Sequence, residues 1–340
     1  MLALVYFVTA QLGLSLALLG HSVTVFWPPS GISIAVLLLY GYRLWPGIFI
    51  GSFFSNLVSG LPILAVTGMA GAGTLEALLG AYLLSQHARF SVGLNEARDI
   101  FRLMWRGGII STLPGALIGV LCLQWAGVVA QGEYGTTMLL WWMGDSLGVV
   151  FFAPVVISLL RHRSFDWTPA YRKQALLLFS ILSLMCVMIF SELGRELVGR
   201  QPRIFMLIPM VVWAALSFNS RVVSAVLLLI ASGTLFSAAS GQGFFAAYSA
   251  SNTLELWGFL LIMTILGATL SAVNFQRNRV RNILERNERS LKRAQYVAKV
   301  GSWELHISRN RLEWSDETYR MFGVKSGTPL TLEKFMNFVH

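Results

Sequence analysis

Ten apolar segments alternate with short polar gaps over the first 274 residues of the chain. A helix needs about 20 apolar residues to cross the hydrocarbon core of a bilayer. Two segments, Ile32–Tyr42 and Pro46–Val58, are short for a full crossing, so the pattern predicts eight to ten transmembrane helices. The remaining segments are Leu2–Leu19, Pro62–Leu84, Gly107–Val129, Thr137–Leu160, Ala175–Glu192, Ile204–Phe218, Val222–Ala239 and Leu254–Asn274.

The composition agrees with a chain whose main solvent is lipid. Hydrophobic residues make up 55% of the 340 residues and charged residues only 12%, whereas ordinary soluble domains have about a quarter charged residues. The two cysteines, Cys122 and Cys186, both lie in apolar segments, which excludes a disulfide framework and a zinc knuckle. We therefore predict an all-α polytopic membrane protein over residues 1–274, in which membrane lipids are the first partner.

Basic residues fall unevenly on the gaps between the segments. With ten spans and Met1 in the cytoplasm, only Arg195, Arg200 and Arg203 lie in outer gaps. Because cytoplasmic loops are enriched in Lys and Arg, we expect an inner (cytoplasmic) membrane with both ends of the chain in the cytoplasm. The inner gaps contain Arg43, Arg89, Arg98, Arg102, Arg106, Arg161, Arg163, Arg172, Lys173, Arg221, Arg277, Arg279 and Arg281.

A polar tail follows the last apolar segment and holds 13 of the 26 basic residues. Since the charge divides between membrane gaps and this tail, the net charge of +10 does not indicate nucleic-acid binding. Residues 275–299 predict a cytoplasmic signalling helix with a stripe that is typical of a short parallel coiled coil, and hence a homodimer. A single amphipathic helix on the inner leaflet is the alternative. The stripe consists of Val280, Leu284, Asn287, Leu291, Ala294 and Ala298.

Residues 300–340 change to an α+β pattern. GSWELHI and Arg311–Trp314 alternate as the strands of a hairpin do, with Ser308-Arg309-Asn310 as the turn. Ser315 is the expected N-cap of a helix that ends at Phe322-Gly323, and Leu332–Val339 is a second short helix. Because these elements cannot bury a core alone, we expect only the first part of a domain here.

Two carboxylates stand out because they lie well inside apolar segments, Glu76 in GAGTLEALLG and Asp145 in WWMGDSLG. A buried carboxylate in lipid costs several kcal/mol unless it is paired, hydrated or protonated. Counted from the outer ends of their segments, the two differ in depth by roughly 9 Å, at about 1.5 Å per residue. The sequence leaves two interpretations open. One is a ligand site, and the other is a structural cluster that hydrogen-bonds Asn56, Ser30, Ser146 or Thr74.

The segment Phe26-Trp27-Pro28-Pro29-Ser30-Gly31 opens a short apolar run near the outer face. Prolines at the first positions of a helix lose no hydrogen bond, so an ordinary helix start is one interpretation. A non-helical entry inside the membrane would instead have to line a wet cavity. In that case Trp27, Ser30 and Asn56 are candidates to line an outward-opening pocket with the two acids.

Other chemistry is not indicated. The five histidines are scattered, and GxxxxGK[ST], GxSxG and HExxH motifs are absent from the sequence. We therefore predict no catalytic residue and no metal site, and the cofactor remains unknown.

The stretch FWPPSGISIAVLLLYGYRLWPGIFIGSFFSNL, the intramembrane Glu76 and the stretch WWMGDSLGVVFFAPVV together resemble a known bacterial family. This is the membrane-associated sensor domain of the first type, one of the MASE families. The resemblance covers Leu2 to Asn274. The tail is similar to the start of a PAS domain at Gly301-Ser302-Trp303, Trp314-Ser315 and Phe322-Gly323.

Members of this sensor family are input modules for sensor histidine kinases and for cyclic di-GMP enzymes with GGDEF or EAL domains. The resemblance implies an N-terminal sensory module that relays the binding of a small ligand, or of a membrane-protein partner, to such an output. The sequence holds no kinase phospho-acceptor block, GGDEF or EAL, so we expect a piece of a longer protein. The alternative is a secondary transporter or channel for a small polar solute, because such proteins also use short, Pro- and Gly-interrupted spans with midplane acids.

Overall fold

A computed structural model describes residues 1–15, 24, 26–86, 90–161, 168–200, 202–245, 250–307 and 311–339, with the backbone alone for 250–253 and 337–339. The chain divides into two compact units, Met1–Phe275 and Gln276–His340. The predicted turn at residues 308–310 lies outside the described residues.

The first unit is built from helices. Each of the ten predicted apolar segments contains one of them, because long apolar runs in lipid must satisfy their backbone hydrogen bonds internally. The helices are α1 Leu2–Ser15, α2 Pro28–Tyr40, α3 Trp45–Val58, α4 Ile63–Ser85, α5 Ala97–Arg102, α6 Thr112–Trp125, α7 Tyr134–Leu160, α8 Pro169–Phe190, α9 Leu193–Val198, α10 Ile208–Ser217, α11 Ser220–Ser240 and α12 Ala250–Ala298.

Six helices in the described part of the chain are long and apolar enough to cross a membrane. This supports a multi-pass membrane protein, while the total of eight to ten crossings stays a prediction. The shorter apolar helices include Leu2–Ser15, Pro28–Tyr40 and Ile204–Ser217, the last of which joins α10 to the 3-10 turn before it. The six long helices are Ile63–Ser85, Ala97–Trp125, Gln131–Leu160, Pro169–Phe190, Ser220–Ser240 and Leu254–Ala298.

Helix α7 belongs to two hydrophobic cores. Val149, Ala153 and Ile157 pack in a core with α1 to α4, whereas Leu147 and Phe151 pack in a core with α8, α10, α11 and α12. Successive side chains of a helix point about 100° apart, so one helix serves two bundles through different faces. A displacement of α7 therefore acts on both cores.

Helices α2 and α7 touch through their backbones. A methyl group added at Gly31 would lie 2.1 Å from the Gly148 carbonyl oxygen, and one added at Gly148 would lie 2.0 Å from the Trp27 carbonyl oxygen. The Trp27 amide donates across this contact to the Gly144 carbonyl at 3.3 Å. Glycine at both positions lets the helix backbones approach closely, as small residues do in membrane helix pairs.

The start of α2 falls inside the segment Phe26–Gly31. Pro28 and Pro29 occupy the first turn of the helix, as in an ordinary helix start, while Phe26 and Trp27 before them form a non-helical entry. Proline is suited to this position because its missing N–H would have no partner in the first turn.

Helix α5, a π-helical stretch over Leu103–Ile110 and α6 form one helix that begins ten residues before the predicted segment. The prediction missed this start because Arg98, Arg102 and Arg106 were assigned to a polar gap between two apolar segments. The structure accommodates two of them: Arg102 pairs with Asp99 at 3.3 Å, and Arg106 donates to the Leu83 carbonyl at the end of α4 at 3.1 Å.

The second unit contains the tail elements. Strands β1 Trp303–His306 and β2 Arg311–Trp314 pair antiparallel, with Trp303 opposite Trp314. Helices α13 Asp316–Met321 and α14 Leu332–Val339 follow. The Ser315 side chain accepts the Thr318 amide at 3.3 Å, which confirms the predicted N-cap. A small core forms from Leu312, Trp314, Tyr319 and Leu330.

We expect Gly148→Ala to prevent correct packing of α2 on α7, because its methyl group would overlap a backbone carbonyl that cannot rotate away. Overpacking of this kind costs about 1–3 kcal/mol or more. The measurement is thermal unfolding and folded yield of the purified protein in detergent.

Gly71→Ala is the matched control, because Gly71 is also helical and nothing lies within 4 Å of an added methyl group. Alanine favours helix by about 1 kcal/mol over glycine. Equal unfolding temperatures for the two variants would contradict the proposed backbone contact.

Candidate functional site

A cavity of about 60 Å³ lies among α1, α2, α3, α4, α6 and α7. A water molecule needs roughly 10–15 Å³ of such space, so the cavity has room for several waters or a small ligand. All five residues that the sequence singled out line it. The lining residues are Tyr6, Leu14, Thr24, Trp27, Ser30, Ser52, Asn56, Met69, Gly73, Glu76, Gly115, Trp141 and Asp145.

Glu76 and Asp145 are each only 2% exposed, and their carboxyl groups interact directly. Counting from the segment ends placed the two acids roughly 9 Å apart in depth, at about 1.5 Å per residue, yet their side chains meet in the same cavity. The two acids form one centre.

The two carboxyl groups are held differently. The Ser30 hydroxyl donates to Asp145 Oδ1 at 2.9 Å. Glu76 Oε2 lies against Gly115, where an added methyl group would come within 2.5 Å of it. Glu76 Oε1 is buried without a hydrogen-bond partner among the described residues. The centre thus contains a buried acceptor oxygen that receives no hydrogen bond from the described part of the chain.

The structural-cluster interpretation holds for Ser30 but not for the other suggested partners. Thr74 donates to the Ala70 carbonyl at 2.7 Å and Ser146 to the Met143 carbonyl at 3.0 Å, both within their own helices. Ser30 therefore interacts with both acids, while Thr74 and Ser146 direct their hydroxyl groups to carbonyls of their own helices.

Asn56 faces the cavity from α3 with its amide nitrogen already engaged. That nitrogen donates to the Ser52 carbonyl at 2.8 Å and to the Ser52 hydroxyl at 3.3 Å. The group that Asn56 can offer to a ligand is consequently its carbonyl oxygen.

Tyr6, Ser52 and Trp141 are among the lining residues that the sequence analysis missed. Tyr6 lies in an apolar run without any polar neighbour that marks it, and its hydroxyl interacts with the side chains of Ser52 and Trp27. Ser52 precedes Asn56 by four residues and Trp141 precedes Asp145 by four. Residues four apart share a helix face, so this spacing was the signal that could have found the last two.

The charges in the cavity do not balance. Among the described lining residues there are two acids and no Lys, Arg or His. Two adjacent buried carboxyl groups are both ionised only when a cation compensates their charge. Without a cation, one of them keeps its proton. The arrangement can therefore bind a cationic or hydrogen-bond-donating group.

The backbone just before Asp145 is connected to α12. The Trp257 indole nitrogen donates to the Met143 carbonyl oxygen at 2.9 Å, and the Trp142 and Trp257 rings lie 6.5 Å apart. The same turn of α7 therefore carries the acid of the cavity and the acceptor for α12.

A comparison with known families matches MASE1 over residues 1–278. The chain belongs to the MASE1 family. This confirms the resemblance of the membrane segments to a membrane-associated sensor domain. MASE1 is a family of membrane sensor domains found in signalling proteins, so the cavity lies in a sensor module. Searches of curated proteins and of solved structures found no match.

We expect Ser30→Ala to destabilise this MASE1 domain, because it removes the hydroxyl that donates to Asp145 Oδ1. A buried acceptor that loses its partner costs about 1–3 kcal/mol. The measurement is the thermal unfolding temperature in detergent.

Ser33→Ala is the matched control on the same helix. Ser33 is buried to a similar degree, but its hydroxyl oxygen has no hydrogen-bond partner among the described residues. We expect its loss to leave the unfolding temperature unchanged or to raise it. A loss of stability as large in Ser33→Ala as in Ser30→Ala would refute the anchoring role of Ser30.

Proposed function

We propose that this chain is the sensory input module of a bacterial transmembrane signalling protein. Binding of a small ligand or membrane-protein partner at the cavity is relayed to a cytoplasmic output, such as a diguanylate cyclase/phosphodiesterase or a sensor histidine kinase. The observation that carries the proposal is the shared turn of α7, where Asp145 lines the cavity and the Met143 carbonyl binds Trp257 of α12.

The relay rests on the continuity of α12. This helix runs without interruption from Ala250 to Ala298, from the apolar segment into the charged tail. A ligand shifts such a system only by binding one arrangement of the helices better than another. Contacts to Glu76 and Asp145 supply that difference when they change the position of α7.

We also propose that the tail of α12 forms a parallel homodimer. Val280, Leu284 and Leu291 on the predicted stripe are 57–63% exposed in the single chain. Their spacing, with Asn287 at a core position, is the pattern by which two identical helices pair in register. On the same helix, Arg281 Nε donates to the Glu285 carboxylate at 2.9 Å, which lowers the pKa of the Glu285 carboxyl group.

The remaining parts of the proposal concern the tail and the membrane. The hairpin, the N-cap at Ser315 and the helix Leu332–Val339 support the start of a PAS domain over residues 300–340. The distribution of Lys and Arg supports an inner-membrane location with both ends in the cytoplasm.

A secondary transporter is the second candidate. It is favoured by the short helices α2 and α3, which contribute Ser30, Ser52 and Asn56 to an acidic cavity, as the interrupted helices of transporters do. A carrier has no need of the long charged helix over residues 275–298, so we prefer the sensor.

The proposed function predicts that Glu76→Gln and Asp145→Asn change the signalling output of the full-length protein while membrane insertion is retained. Coupling between sites typically corresponds to changes of about fivefold or more. The output is measured as cyclic di-GMP level or kinase autophosphorylation, and insertion by the amount of protein in purified membranes.

Asp99→Asn is the control, because Asp99 is a fully buried acid outside the cavity that pairs with Arg102. We expect it to leave the output unchanged. Unchanged output in both Glu76→Gln and Asp145→Asn would rule out the cavity as the sensory site.

The homodimer predicts a position-dependent disulfide cross-link. In a background without Cys122 and Cys186, Leu284→Cys lies on the stripe and should cross-link two chains in oxidised membranes. Arg286→Cys points about 200° away around the helix and should not. Equal cross-linking at both positions would contradict pairing through the stripe.

A further inference from the structure

The charge of the lining residues limits which class of ligand the cavity can bind. Glu76 and Asp145 face each other without Lys, Arg or His among the described lining residues. Glu76 is 2% exposed and its Oε1 has no hydrogen-bond partner among the described residues. An anion would meet two acids here, and a neutral apolar molecule would leave Oε1 unsatisfied.

Residues with oxygen acceptors line the space on several sides. They are Glu76 from α4, Asp145 from α7 and Asn56 from α3, whose amide nitrogen is engaged by Ser52. A group that donates several N–H bonds from one charged centre would satisfy them together, which is the chemistry of an ammonium ion.

The walls between these oxygens are aromatic and apolar. Trp27 and Trp141 line the cavity with Met69 and Leu14. Glycines hold both indoles, since a methyl group at Gly13 would lie 3.0 Å from the Trp27 ring and one at Gly119 would lie 2.7 Å from the Trp141 ring. Indole faces attract organic cations.

A bare metal ion suits this site less well. Among the described residues no group of three or more His, Cys, Asp or Glu comes together. Two carboxyl groups with indole and thioether walls match a cation that also carries an alkyl body.

We propose that the cavity binds a small organic ammonium ion. Its N–H groups donate to Glu76, Asp145 and Asn56, and its alkyl part packs against Trp27 and Trp141. The inference deepens the proposed function, because it names the ligand class of the same site.

The test is isothermal titration of the full chain in nanodiscs with n-butylammonium chloride, after subtraction of empty nanodiscs. The matched probes are n-butanol, which has the same length without the charge, sodium butyrate, which reverses it, and sodium chloride. We expect saturable binding of n-butylammonium alone. Equal binding of n-butanol or sodium chloride, or no saturable binding of n-butylammonium, would overturn the proposal.

Variants locate the binding. Glu76→Gln and Asp145→Asn keep the shape of each side chain and remove its charge, so we expect each to weaken n-butylammonium binding at least tenfold. Asp99→Asn should bind as the unchanged protein does. Thermal unfolding of each variant identifies misfolded protein, and binding that is unaltered in folded Glu76→Gln and Asp145→Asn would refute the assignment.

The outcome is separable from that of the signalling experiment. If Glu76→Gln and Asp145→Asn alter the output but n-butylammonium does not bind, the proposed sensory function is supported and the proposed ammonium ligand is refuted. If n-butylammonium binds through both acids but neither variant alters the output, the site stands as a binding site and its sensory role falls.

Discussion

The contact between the backbones of α2 and α7 is the constraint on which the rest of the membrane unit depends. Gly31 and Gly148 each face a carbonyl oxygen of the other element. This approach brings Ser30 within 2.9 Å of Asp145, and larger residues would hold the helices farther apart. The position of the acid centre is therefore set by the absence of side chains at two neighbouring positions.

Burial of the two acids is energetically unfavourable. Ionised groups in lipid raise the free energy of the folded protein, and they occur where they face a protein interior or a wet cavity. Ser30 interacts with both acids, and one buried oxygen of Glu76 keeps no hydrogen-bond partner among the described residues. A purely structural cluster would be expected to satisfy every oxygen of both acids.

Much of the helical architecture could be predicted because helices in lipid are recognisable from the residue composition of each segment. Lipid requires long apolar runs, so each of the ten apolar segments overlaps a helix of the structure, and a charge within such a run is conspicuous, as Glu76 and Asp145 were. Tyr6 and Trp141 were not found, because aromatic residues do not stand out in hydropathy from the apolar residues around them. The π-helical stretch over Leu103–Ile110 was also missed, since a shift of backbone hydrogen bonds leaves no trace in residue type.

The direct contact between the two acids could not be obtained by counting residues. Counting from the end of a segment measures distance along a helix, and the position in the bundle also depends on tilt and on the level of each end. Tertiary packing decides both. The sequence thus suggested a pocket lined by both acids but not that their carboxyl groups lie side by side.

The link between α7 and α12 has a further property. The acceptor for the Trp257 indole is the main-chain oxygen of residue 143, which every amino acid possesses. Natural variation of the side chain at that position leaves the acceptor in place, and only a rotation or translation of the helix axis can move it away. The hydrogen bond consequently depends on the position of α7 and not on the side chain at residue 143, so the side chains around the cavity can vary while the contact with α12 is kept.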